Sequence, residues 1–157
     1  MRSLFRLAAG PMMLILAVPI SSSAGEITTL NPESIVKPYK DRFSHGKLIP
    51  AGAEWLLTAG QTGVNPDGVV GKDIEQQADW AMSNLFQIVS AAGMTSDDIV
   101  KMTIFYLDPA HLPIIVAARN RYFGENFRPA STAVGVSALA RPELLIEVEA
   151  TAARAPR

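Results

Sequence analysis

The chain has 157 residues, enough for one domain with one core. Apolar residues make up 48% and charged residues 18%, which excludes a disordered chain. The net charge is −1 with no long basic run, so nucleic acid is not an expected partner: phosphate binding relies on clustered lysine and arginine.

Cysteine is absent, which removes disulfides, thiol nucleophiles, thiolate metal sites and iron–sulfur clusters together. Residues 1–24 read as a signal peptide. Arg2 and Arg6 form a positive start, Leu7 to Ile20 is apolar, and Ser22 and Ala24 are small residues at the spacing a signal peptidase accepts. The apolar run is shorter than the ~20 residues of a spanning helix and is interrupted by Pro11 and Pro19. The expectation is an exported, periplasmic domain. The alternative is an uncleaved segment that anchors the protein in the membrane, its only membrane contact. About 130 residues without disulfides bury a modest fraction of their surface, so assembly is a natural route to stability.

Residues 25–42 form a lead-in, irregular from Thr28 to Lys40 around Pro32 and Pro38, and residues 43–157 form the domain. Phe43 to Ile49 reads as extended and Glu54 to Ala59 as a short apolar strand. Gly60 to Gly68 reads as a hairpin connection, with Pro66-Asp67-Gly68 at the corner. Its glycine spacing matches neither GxGxxG nor a P-loop. Asp73 to Ala92 is the clearest helix, capped by Asp73 and ended by Gly93, with Ile74, Ala78, Ala81, Leu85, Ile88, Val89 and Ala92 on one stripe. Thr95 to Asp98 caps a short turn. Val100 to Leu107 is a strand, Leu112 to Asn126 a second helix, and Ser131 to Leu139 and Leu144 to Ala152 are two more strands. In the last of these Ile146, Val148 and Ala150 face one way, and Leu145, Glu147 and Glu149 the other. This order predicts an α+β fold with both helices on one face of a sheet, the other face being covered by a partner subunit.

Little in the chain points to metal or nucleophile chemistry. His45 and His111 are the only histidines and lack metal-ligand spacing, so no metal is expected. Ser44 and His45 are adjacent, which sends them to opposite faces of a strand, and no GxSxG elbow exists. Glu147 and Glu149 lie two apart on one strand face, roughly 6–7 Å from each other. Enclosure of such a pair would favour a general acid, whereas an open strand face would leave both solvated or ion-paired. Arg128, before Pro129, is a candidate to fork an anion, although a surface role is the commoner outcome for such an arginine.

The segment Phe127-Arg128-Pro129-Ala130-Ser131-Thr132-Ala133-Val134-Gly135-Val136, followed by Leu144 to Ala150, resembles the C-terminal signature of the Rid family (reactive intermediate deaminases, YjgF-like or L-PSP-type proteins). Phe43-Ser44-His45-Gly46, Leu57-Thr58-Ala59-Gly60-Gln61, Val64-Asn65-Pro66 and Ala91 to Lys101 resemble further family segments in order, so the resemblance runs from about Phe43 to Arg154. It implies a chorismate-mutase-like α+β fold, a homotrimer with ligand clefts between subunits, and no cofactor. Active members hydrolyse enamines and imines such as 2-aminoacrylate. An arginine after the Pro-Ala pair holds the substrate carboxylate, and a glutamate and a tyrosine help position water and substrate. Here the arginine position is Ser131, the tyrosine position Phe43, a serine position Ala59 beside Gly60, a cleft asparagine position Val116, and the signature cysteine Ala133; Glu147 matches the family's glutamate.

These departures lead to two expectations. One is an exported trimeric protein that binds a small, less acidic and partly apolar metabolite, with Glu147 as polar anchor and Phe43, Ala59, Gly60, Val116, Ser131, Thr132 and Arg128 around the ligand. The other is an enamine or imine deaminase of altered specificity, in which Glu147 activates water and Thr132 or Arg128 aids orientation. The ribonuclease activity attached to some family names is disfavoured by the missing basic surface.

Overall fold

The computed structural model describes residues 25–156; the signal segment read at 1–24 lies outside them. Strand β1 (Thr28–Leu30) pairs antiparallel with β2 (Gly46–Leu48) in a small two-stranded sheet. The lead-in expected to be irregular thus contributes a strand: Thr28-Thr29-Leu30 has β-branched residues, and it finds its partner beyond the prolines.

The main sheet contains β3 (Glu54–Leu57), β4 (Gln61–Thr62), β5 (Ile99–Tyr106), β6 (Ala130–Gly135) and β7 (Ile146–Arg154). Its order is β3-β7-β5-β6, with β4 also on β7. Only β5 and β6 run parallel, joined through the second helix as a crossover; the other pairs are antiparallel. β6 is an edge strand, met on its outer side only by an isolated parallel bridge between Ser44 and Ala130 among the described residues.

Helix α1 (Ile74–Ala91) starts where Asp73 accepts a hydrogen bond from the Gln76 N–H (2.9 Å). It stops at Gly93, whose φ of +66° suits a left-handed C-terminal turn, with the Met94 N–H bonded to the Val89 carbonyl. Helix α2 (Leu112–Phe123) ends three residues before the expected Asn126, because Gly124 takes φ +88°. Both helices cover one face of the sheet. Ala78, Ala81, Met82, Leu85 and Val89 of α1 and Ile115 and Ala118 of α2 bury against Met102, Ile104, Ile146 and Val148. Each large apolar side chain so buried contributes about 1.5–3 kcal/mol. The α+β layer with one-sided helices is therefore as the sequence predicts.

The last two strands differ in extent from expectation. β6 ends at Gly135 instead of Leu139, after which only the Val136 N–H continues to β5, through Tyr106. β7 begins at Ile146 because buried Gln77 holds the preceding link: its Nε2 donates to the Glu143 carbonyl (2.9 Å) and its Oε1 accepts from the Leu145 N–H (2.8 Å). At its other end β7 runs on to Arg154, since β3 pairs with residues Thr151 to Arg154.

Candidate functional site

Strand alternation sorts the expected site residues into two groups. On β7, Ile146, Val148 and Ala150 enter the core, which turns Glu147 and Glu149 to the helix-free face. Glu147 lies opposite Thr62 on one side and Phe105 on the other. Its carboxylate occupies the space over Gly60: a Cβ there would lie 1.8 Å from Glu147 Oε1. Glycine is thus required by the carboxylate's position. Ala59 precedes it in the same link, whose carbonyls at Ala59 and Gly60 each accept from Gln61 Nε2 (3.2 Å). Gly63 and Gly71 likewise make room, for Gln77, which accounts for the glycines of the hairpin without a phosphate.

The second group lies on the helix side, at the edge of the sheet. Ser131 and Ala133 on β6 pair with Met102 and Ile104, and so point toward α2. With Phe43, Leu112, Ile115 and Val116 they line a cavity of about 230 Å³. Thr132 also borders it, while its hydroxyl accepts from Lys101 Nζ. Ser131 Oγ makes one long contact, to the Pro129 carbonyl (3.5 Å). Phe43, Val116, Ser131 and Thr132 therefore line one cavity. Glu147, Ala59 and Gly60 are on the opposite face, and within one chain the two groups do not meet.

Arg128 is not part of this cavity. Its Nη1 donates to the Glu125 and Phe127 carbonyls, and its Nε lies 3.5 Å from Asp41 Oδ2. The proline that follows directs its backbone, but local carbonyls and Asp41 claim the guanidinium. His45 is also engaged elsewhere, its Nε2 donating to the Val36 carbonyl (2.7 Å), while Ser44 Oγ donates to the Arg128 carbonyl (2.7 Å). No Ser-His pair forms.

Two cations that the sequence reading missed line the cavity: Arg42 and Arg119. Arg119 is only 4% exposed. It donates to Asn120 Oδ1 through Nε (3.2 Å) and Nη2 (2.9 Å), and to the Arg42 carbonyl through Nη1 (3.2 Å). The Phe127 ring lies beside it, 5.8 Å from centroid to guanidinium carbon. Burial, then the neighbouring Arg128 and Arg42 guanidiniums, pushes its pKa below the usual arginine value. Among the described residues no carboxylate lies within ion-pairing distance of Arg119 or Arg42. One signal was legible in the sequence: Arg119 follows Ile115 by four and precedes Phe123 by four, a charge placed on the apolar stripe of α2.

Comparison with known proteins agrees with this architecture. The family profile described as endoribonuclease L-PSP matches residues 37–154. A RutC family protein of Haemophilus influenzae is 35% identical over 132 residues, covering 82% of this chain and 95% of that protein. The 2-iminobutanoate/2-iminopropanoate deaminase of Escherichia coli is 34% identical over 131 residues, covering 82% of this chain and 96% of that enzyme. Among solved structures, a protein of the conserved Rid family from Yersinia pestis aligns with a TM-score of 0.71 at 33% identity, over 80% of this chain and 97% of that one. Escherichia coli TdcF with bound serine aligns with a TM-score of 0.59 at 30% identity, over 76% and 91%. The match spans β2 through β7 and includes both faces of the candidate site, and on these grounds the chain belongs to the endoribonuclease L-PSP family, the Rid proteins.

Proposed function

We propose that this chain is an exported Rid-family protein, periplasmic after removal of residues 1–24, whose homotrimer binds a small, partly apolar metabolite in clefts between subunits. One observation carries this reading. Glu147 with Gly60 and the cavity of Phe43, Val116 and Ser131 lie on opposite faces of one sheet, so a complete site needs two copies of the chain. The edge of β6 beyond its bridge to Ser44 and the exposed Trp55 and Leu57 of β3 supply surfaces for such an assembly. TdcF with bound serine and the relatives named as deaminases support a small-molecule role. Ser131 has no guanidinium to fork a carboxylate from β6, and Phe43, Ala59 and Val116 make the site more apolar. Hydrolysis of 2-aminoacrylate is therefore expected to be slow.

Glu147 favours a second reading, an enamine or imine deaminase of altered specificity. A partner subunit's cavity would present the C=N carbon near this carboxylate. Glu147 would take a proton from water, hydroxide would add to the carbon, and the nitrogen would gain a proton. The resulting carbinolamine would lose ammonia as the C–N bond breaks, leaving a carbonyl.

The test measures imine hydrolysis by the purified protein, with imines generated by an amino-acid oxidase from several side-chain classes. An active family deaminase and a Ser131→Arg variant run alongside. No acceleration by wild type, with saturable ligand binding by a trimer, supports the binding role. Clear acceleration that Glu147→Gln abolishes supports the deaminase. A stable monomer in sedimentation would overturn both. Export is tested by fractionating cells that express the chain with and without residues 1–24.

A further inference from the structure

We propose that Arg119, with Arg42 beside it, forms an anion-holding subsite in the cavity between α2 and β6, so that the ligand is a small organic carboxylate with an apolar body. This rests on reading that cavity as the ligand cleft, and it replaces the less acidic ligand expected from Ser131 with an acid held from the helix.

The argument begins with charge. Arg128 and Arg42 both lie close enough to repel Arg119, and the acidic partner found among the three arginines is Asp41, on Arg128. Arg119 is buried, and among the described residues its partners are neutral oxygens. A buried cation without a counterion is costly, and an anion entering the cavity would relieve that cost. Donor capacity is the second point. A guanidinium carries five N–H groups, and three bonds to Asn120 and Arg42 leave two free for a carboxylate. Ser131, whose hydroxyl makes only its long contact to Pro129, adds a donor on the facing strand.

The remaining walls define the rest of the ligand. Phe43, Leu112, Ile115, Val116 and Ala133 offer no polar side-chain atom, and the only other hydroxyls on the lining besides Ser131 are those of Tyr39 and Thr132, so the body attached to the carboxylate is mainly hydrocarbon. The volume of about 230 Å³ equals roughly eight waters, room for a carboxylate on a short branched chain.

The experiment titrates the purified protein with 4-methylpentanoate and with its neutral isostere 4-methylpentanamide, by calorimetry at constant ionic strength, with inorganic phosphate as a third probe. The acid is expected to bind about ten- to a hundred-fold tighter than the amide, the range of a charge-assisted hydrogen-bond pair, and tighter than phosphate. Arg119→Met should bring acid and amide to equal affinity. Arg119→Lys should keep part of the preference, since the charge stays and the fork is lost. Val116→Asp, one helical turn before Arg119, guards against a misfolded Arg119→Met. Its carboxylate should pair with Arg119, leave the melting temperature unchanged or raised, and exclude the acid. Equal binding of acid and amide by wild type would overturn the subsite while leaving the cleft reading intact. Tighter binding of phosphate, acid binding that survives Val116→Asp, or a Val116→Asp melting temperature as low as an unpaired buried charge would give, would also overturn it. Failure of both organic probes to bind would remove the subsite and the cleft reading together.

Discussion

Gln77→Met tests whether one buried amide fixes the strand that carries Glu147. Gln77 is 1% exposed on α1. Its Nε2 donates to the Gly71 and Glu143 carbonyls (2.9 Å each), and its Oε1 accepts from the Leu145 N–H (2.8 Å). Methionine keeps the length of the side chain and removes all three bonds. Glu143 is exposed, so its carbonyl can recruit water; the Gly71 carbonyl and the Leu145 N–H have less access to it. Two buried groups left without partners at about 1–3 kcal/mol each give a loss of about 2–6 kcal/mol. For a domain of this size that corresponds to a melting temperature lower by roughly 10 °C. Urea unfolding and thermal melts, at one fixed protein concentration so that assembly does not shift the baseline, measure it. A loss below about 1 kcal/mol would show that packing alone holds the 143–145 link, and would refute the reasoning.

Gly60→Ala is expected to displace the Glu147 carboxylate, because the added Cβ would lie 1.8 Å from its Oε1. Any turnover should then fall as far as it does in Glu147→Gln, and equal activity in Gly60→Ala and wild type would remove Glu147 from the chemistry. Asp73→Ala removes the N-cap bond to Gln76 and should cost α1 about 1 kcal/mol in chemical denaturation, with binding unchanged. Leu57 is 74% exposed on the helix-free face, and if the proposed homotrimer uses it, Leu57→Lys should shift sedimentation from trimer toward monomer without lowering helix content; an unchanged assembly would place the interface elsewhere.

Element order and the one-sided helices were legible because their signals are local: Asp73 and Gly93 bound α1, and period-two alternation marks β5 and β7. Strand limits were less legible because partners decide them. β1 exists through its pairing with β2, and β7 starts at Ile146 because Gln77, 68 residues away from Leu145, holds the preceding link. At the site, alternation correctly separates Glu147 from the core, and the cavity gathers Phe43, Val116 and Ser131. That Arg128 lies outside the cavity and Arg119 lines it has a common reason. The apolar stripe of α2 places Arg119 on the inward face, but the carbonyls and Asp41 that hold Arg128 outside are contacts that sequence spacing does not encode.

The arginines also change what Ser131 means. By resemblance, position 131 holds the family's guanidinium on β6, and its loss suggests a site without an anion anchor. In the folded chain Ser131 faces a cavity into which Arg119 already projects from α2. A long cation at position 131 would share that space with Arg119, next to Arg42 and Arg128, and like charges held together in a buried site oppose one another. On the proposed subsite, serine at 131 is the small residue that leaves room for a helix-borne arginine. It follows that Ser131→Arg alone is a poor restoration of the family site, since it adds a guanidinium without removing one. Ser131→Arg combined with Arg119→Met exchanges the cation's origin while conserving charge, and is the variant in which carboxylate binding from β6 should reappear. Rescue by the single variant equal to that of the double variant would show that the two arginines do not compete, and that the charge of this cleft belongs to positions and not to the cavity as a whole.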